Sequence, residues 1–304
     1  MSVCVCTGVG QNTGIPSSRQ AIAAVTKKLI LVPLLDSDGN RNGIDLVNDT
    51  LDQSYFDALF NQADATKRWF PTPDFDNVED VPGDPLTQGL NSGANVIATK
   101  GIRTYTGLML NNSPVLLGKF EAFGCFKFGV YAVDICGNLV GDISSDGNFL
   151  YPTPVNEKSF YPRYDKASDT TVADVRIDFE YSHLALDKNI RMIKASELGG
   201  ADLLLAIGLL DVNVEVISCS TTALVVDLTT DFGSLLSPIA TALWLLAEFT
   251  LYNNTTPGAV TITGVTNVGY RYTLSYGALT VADELTLSGS KSGYDFPDTD
   301  ATVA

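Results

Sequence analysis

Apolar and polar positions alternate with a period of two along most of this chain, and the stretches that break the alternation are few. "KKLILVPLL" (27–35) is a continuous apolar run with charge before it and turn residues after it, which predicts a buried strand. "VIATKGIRTYTGLML" (96–110), "PVLLGKFEAFG" (114–124) and "CFKFGVYAVDI" (125–135) set Val, Ile, Tyr and Phe between glycines and predict antiparallel strands. The turns "CGNLVGD" and "SSDGNFL" continue the meander, and "VADVRIDFEYS" (172–182) alternates over its length, with Val172, Val175, Ile177, Phe179 and Tyr181 among polar partners.

Helical spacing is convincing once. In "TLDQSYFDALFNQAD" (50–64), Leu51, Tyr55 and Leu59 with Phe56 and Phe60 form an apolar face, and Thr50 with Gln53 spells a capping box. "RWFPTPDFDNVEDVPGDPLTQGLNSGAN" (68–95) is rich in proline and acid and predicts a long exposed loop with a role at an interface. "IRMIKASELGGADLLLAIGLL" (190–210) has room for a short helix. Alternation then restarts in "DVNVEVISCSTTALVVDLT" (211–229) and continues between Gly-rich turns to "SGYDF", as in a small β-sandwich. The reading is a mainly β protein of two domains, 1–210 and 211–304.

Charge supports that division. Residues 1–195 carry 17 basic and 23 acidic side chains, whereas 196–304 carry only Arg271 and Lys291 against 12 acidic ones. The whole 304-residue chain has a formal net charge of −16, which opposes binding to nucleic-acid phosphates or anionic lipid. The apolar runs "LLLAIGLL" and "SPIATALWLLAEF" are shorter than the about 20 residues of a membrane span and read as core. The opening "MSVCVCTGVG" lacks the basic and long apolar parts of a secretory signal.

Candidate chemistry is sparse. "DGNRNGIDLVND" (38–49) has oxygen side chains at positions 1, 3, 5 and 12 of a calcium loop and Gly43 at position 6, but Asp45 stands where an apolar residue belongs and Asp49 where a bidentate Glu belongs. A turn leading into a helix is expected there, with no metal. His183 is the single histidine, with no nucleophile placed beside it by spacing. "GVGQNTG" (8–14) lacks the preceding strand and the Gly-Lys-Ser/Thr of a phosphate loop. Cys4, Cys6, Cys125, Cys136 and Cys219 form neither a disulfide framework nor a zinc pattern. No catalytic, cofactor-binding or metal residue is assigned, and no enzyme activity is expected. Lys67, Arg68, Lys100 and Arg103 are basic islands that, in an oligomer, would suit the acidic 74–84 segment of a neighbouring copy.

The order "KKLILVPLL…NGIDL", the helix, "RWFPTPDFDNVED", "KGIRTYTGLML", "LGKFEAFGCFKFGVYAVDICGNLVGD" and "VADVRIDFEYSHLALDKNIRMI" resembles the tail tube (major tail) proteins of tailed bacteriophages over about residues 25–210. Residues 211–304 resemble the immunoglobulin-like domains such virion proteins carry. The resemblance implies a β-sandwich tending toward a barrel with one flanking helix, plus a small immunoglobulin-like sandwich. It also implies a structural virion protein, made in the bacterial cytoplasm, that forms stacked hexameric rings with itself and meets other tail proteins. DNA would pass through the channel without specific binding, and neither cofactor nor membrane is involved. A capsid decoration or head-completion protein, or a carbohydrate-binding β-protein, are the alternatives.

Overall fold

The computed structural model describes residues 23–304 apart from 92, 94, 100, 111, 184 and 231–243. Expectations placed on Cys4, Cys6, "GVGQNTG", Lys100, the side chain of Cys125 and the first half of the 237–249 run lie outside the described residues. The fold is mainly β, with 47% of residues in strands and 13% in helix.

In chain order the first part contributes β1 (Thr26–Pro33), β2 (Ile44–Asp45), α1 (Gln53–Phe60), β3 (Phe70–Pro71), β4 (Asn77–Pro82), β5 (Leu86–Gly89), β6 (Asn95–Thr99), β7 (Arg103–Leu110) and α2 (Pro114–Glu121). It continues with β8 (Phe128–Asp134), β9 (Leu139–Ile143), β10 (Phe149–Tyr151), β11 (Thr153–Pro154), β12 (Tyr161–Asp165), β13 (Asp174–Glu180) and β14 (Ile190–Ile193). The second part contributes β15 (Leu210–Cys219), β16 (Ala223–Thr230), β17 (Phe249–Asn253), β18 (Gly258–Val260), β19 (Ile262–Val268), β20 (Arg271–Tyr276), β21 (Glu284–Gly289), β22 (Tyr294–Asp295) and β23 (Thr299–Thr302).

An eight-stranded sheet runs β2-β10-β9-β8-β1-β3, with β11 also on β8 and β14 also on β9. From Leu29 to Pro33, β1 is apolar at every position because both of its faces are covered. Leu29 and Leu31 pack with Tyr105, Phe128 and Ile177 toward a second, four-stranded sheet β12-β13-β7-β4. Ile30 and Val32 face the other way, into a cluster with Phe56, Phe60, Trp69 and Tyr131 under α1. Trp69 stacks on Tyr131 with ring centroids 4.9 Å apart. Burying Phe56 and Phe60 is worth about 1.5–3 kcal/mol each, which holds an eight-residue helix too short to persist in water unaided.

Four expectations need correction. α1 starts at Gln53, and its cap is Asp52, whose carboxylate accepts from the Tyr55 N–H at 2.9 Å; Thr50 and Gln53 do not form the box. Gln53 instead accepts from the Asp202 N–H at 3.0 Å. The described residues contain two α-helices, not one: 114–121 is helical, with Ser113 as cap and Pro114 in the first turn, where its missing N–H costs nothing. The 68–95 segment contains β3, β4 and β5 and is not a plain loop. Residues 190–210 form β14 followed by short 3₁₀ turns at 195–197 and 203–205.

Lys28 explains how those turns dock. Its buried ammonium donates to the Leu204 carbonyl at 2.6 Å and the Ala206 carbonyl at 2.8 Å, with Asp74 3.5 Å away. Burial holds its pKa below the ordinary lysine value despite Asp74.

The second part is a two-sheet sandwich, β19-β20-β16-β15-β22 over β18-β17-β21-β23. Its core (Leu224, Val226, Leu228, Phe249, Leu251, Leu274, Leu285, Leu287 and Trp244 at its centre) draws on residues 212–303 alone, and the two clusters of the first part on residues 29–206. Polar contacts join the parts: Arg68 with Asp295 at 2.7 Å, Lys119 with Asp211 at 2.8 Å, and the Gly293 N–H donating to Asn61 at 3.0 Å.

Candidate functional site

The 38–49 segment is a self-satisfied turn. Asp36 accepts from the backbone N–H groups of Asp38 at 3.0 Å and Asn40 at 2.8 Å, and Asp38 pairs with Lys67 at 2.8 Å. Asp45 accepts from the Asn48 side chain at 2.8 Å and the Val47 N–H at 2.9 Å, and these bonds hold its carboxyl below the usual range. Asp49 accepts from the Asp45 N–H and the Tyr55 hydroxyl, both at 2.8 Å. These carboxylates face their own backbone and neighbours. No group of three or more His, Cys, Asp or Glu among the described residues could hold a metal ion.

The basic islands have partners within the chain. Lys67 lies on the 36–38 turn; Arg68, 8% exposed, donates to the Gln62 and Ala63 carbonyls as well as to Asp295. Arg103 bridges Asp80 at 2.9 Å and Asp187 at 3.2 Å. Asp74 sits by Lys27 and Lys28. The complementarity expected between copies is thus met, for these groups, inside one chain. Cys136 and Cys219 are free thiols. Trp69 and Trp244 are both buried, so neither offers a ring face to a sugar.

The four-stranded sheet is the most distinctive surface. Tyr105, Met109, Val175, Ile177 and Phe179 point into the core. The register then puts Thr104, Thr106, Asp174, Arg176, Asp178 and Glu180 on the opposite face, with Glu79 from β4 and Arg163 and Asp165 from β12. Five carboxylates and two guanidinium groups therefore share this face with Val81, Leu108, Leu110 and Tyr161. Thr106 donates to Asp178 at 2.8 Å, and Arg163 pairs with the same carboxylate. Both outer strands, β4 and β12, pair on one side only, in unbroken register over six and five residues. Such edges present unpaired backbone donors and acceptors. Pro162 removes one donor from β12.

Between β4 and β7 the chain leaves the sheet as a two-stranded ribbon, β5-β6. Its neck is pinched: Gly83 donates to the Ile102 carbonyl at 3.0 Å, and a Cβ on Gly101 would fall 1.8 Å from the Gly83 carbonyl oxygen. Only glycine fits. Val96 and Ile97, neighbours on one strand and so on opposite faces, are 47% and 60% exposed, and Leu86 is 66% exposed. Among the described residues, nothing covers either face of the ribbon.

Beside the neck the two sheets of the first part diverge and leave a cleft of about 530 Å³. Val130, Ala132, Val140 and Ile190 line its apolar part; Asp142, Thr153, Ser182, His183 and the Asp80–Arg103–Asp187 bridge line its polar part. Burial raises the Asp142 carboxyl above the usual range although Thr153 donates to it at 3.1 Å. The spacing of residues along the chain carried no signal for this cleft, which six separated segments build.

A scan against models of protein families finds no match to this chain, and a search of curated proteins finds none either. No helix among the described residues is long and apolar enough to cross a membrane.

Proposed function

We propose that this chain is a self-assembling structural protein of a bacteriophage tail tube, building stacked rings of six copies around a channel that conducts DNA. The observation that carries the reading is the four-stranded sheet with one apolar face, one face carrying five carboxylates, and two outer strands of regular register that pair on one side only. Adding β4 of one copy to β12 of the next would continue the sheet and remove both edges, and closure into a ring leaves none exposed. The acidic face then lines the channel, where carboxylates repel phosphates and let DNA slide. The ribbon β5-β6 reaches an adjoining ring, a role first suggested by the 68–95 segment. The sandwich of 210–304, immunoglobulin-like in this reading, lies outside and meets other tail components.

Negative-stain imaging of the purified protein tests this. Rings or tubes of constant diameter are expected, and deletion of residues 86–99 should leave rings or monomers without tubes. A chain that stays monomeric at high concentration overturns the reading.

A further inference from the structure

We propose that the cleft beside the ribbon's neck is the receptor for the β5-β6 ribbon of a second copy of this chain. This rests on the self-assembly reading and supplies the contact that reading leaves open.

Three features point to it. First, the ribbon needs a cover. A lone two-stranded hairpin is marginal in water, and here apolar side chains stand on both of its faces with no described part of the chain over them. Second, residues 86–99, "LTQGLNSGANVIAT", contain no charged side chain, although the chain around them is acidic. A segment meant for solvent would carry Lys or Glu as protection against pairing; a segment meant for a crevice leaves them out, because an unpaired charge is costly to bury.

Third, the cleft is complementary. Its size lies in the range of specific pockets, about 300–1,000 Å³. Val130, Ala132, Val140 and Ile190 offer aliphatic contact for Leu86 and Ile97, and Asp142 and Ser182 offer polar partners for Gln88 or Asn95. Asp80 and Asp187 at the rim are already paired with Arg103, so a neutral ribbon leaves that bridge intact. The occupant is not the chain's own ribbon, whose Leu86, Val96 and Ile97 remain exposed while its base, at Thr99, lines the cleft wall. Ribbon and cleft are different surfaces of one molecule, so the contact is head-to-tail and propagates from copy to copy.

The test places a benzophenone side chain at position 97 in a mixture of ¹⁵N-labelled and unlabelled full-length chains, followed by irradiation and peptide mapping. Cross-links between isotopically distinct chains, from 97 to segments 130–142 or 182–190, are expected. In parallel, Ile97→Asp with Leu86→Asp should weaken self-association by about tenfold or more, the scale of losing a buried apolar anchor. Ala185→Trp, which fills the cleft from a loop, should do the same with an unchanged circular dichroism spectrum. Assemblies whose cross-links fall outside the cleft, or that show none, overturn this inference while the self-assembly reading stands. A wild-type chain that never associates overturns both.

Discussion

The C-terminal sandwich and the four-stranded sheet of the first part treat their edges differently. In the C-terminal sandwich the edge strands are two, three and four residues long (β22, β18 and β23), and the longer edge β19 carries a bulge between Ile262 and Gly264. Short and bulged edges give an incoming strand little to pair with. In the first part, β4 and β12 run in regular register to their ends. The contrast is between edges that are short or bulged and edges that keep a regular register, the latter each carrying one proline, Pro82 and Pro162. Three separate cores and a polar joint allow both kinds of edge in one chain.

The largest expected effect breaks the contrast by core deletion. Leu274→Ala in the sandwich and Ile177→Ala in the first part should each cost about 2–5 kcal/mol. If the regions unfold separately, calorimetry will show two transitions, each variant moving only one of them. A single transition displaced by both variants would mean that the parts form one cooperative unit, and limited proteolysis near Leu210 would then release no stable C-terminal fragment.

Next in size is the edge itself. Val78→Pro on β4, where the N–H faces away from β7, should reduce association at least about tenfold by sedimentation, because an edge proline is a blocking device. Val268→Lys, on the most exposed apolar residue of the sandwich, should change nothing. Equal effects from the two would erase the distinction between the edges. Asp295→Ala removes the partner of Arg68 across the joint and should cost about 1 kcal/mol, since half-exposed Asp295 is screened by water and Arg68 keeps two carbonyls. Faster hydrogen exchange at 61–63 and 293–295 would report it.

The smallest effects are in pH, and they have opposite signs in the two regions. Hydrogen bonds from Arg271, at 2.7 and 2.8 Å, hold the Asp227 carboxyl below its ordinary value. Its contribution is therefore present above the unfolded value of about 4 and is lost as pH falls through the folded one. Asp227→Asn should destabilise at pH 7 and cost progressively less in acid. Asp142 is raised by burial, so the folded state takes up its proton first as pH falls. Asp142→Asn should stabilise at pH 7, with a gain that shrinks on acidification. Chemical denaturation at several pH values checks both, and parallel curves for the two variants would refute the assignment.

Much of the fold could be read from local pattern. β1, β13, β15 and β16 fall where apolar runs or alternation place them, because a strand with a buried face must repeat every two residues whatever its partner. The same pattern placed Val175, Ile177, Phe179 and Tyr181 in the core; Val172 precedes the strand and is exposed. The helix at 114–121 carried its signal in Ser113-Pro114, a cap and a first-turn proline, but its Val, Leu and Phe content resembles a strand's. As a helix it packs Phe120 beside Phe160.

The candidate surface was the least legible part. β4, "NVEDVP", is polar and almost wholly exposed, so nothing in its sequence asks for burial; it is a strand because β7 offers it backbone partners. The ribbon's bare apolar faces could be listed from sequence but not recognised as bare, since exposure depends on what packs against them. Sequence alone determined the mainly β character, the restart of alternation after Leu210 and the acidic balance, all of which follow from side chains and their local spacing. Which edges stay open, where the sheets part to leave a cleft, and which charges are already paired were decided only by tertiary structure, because each depends on residues brought together from distant parts of the chain.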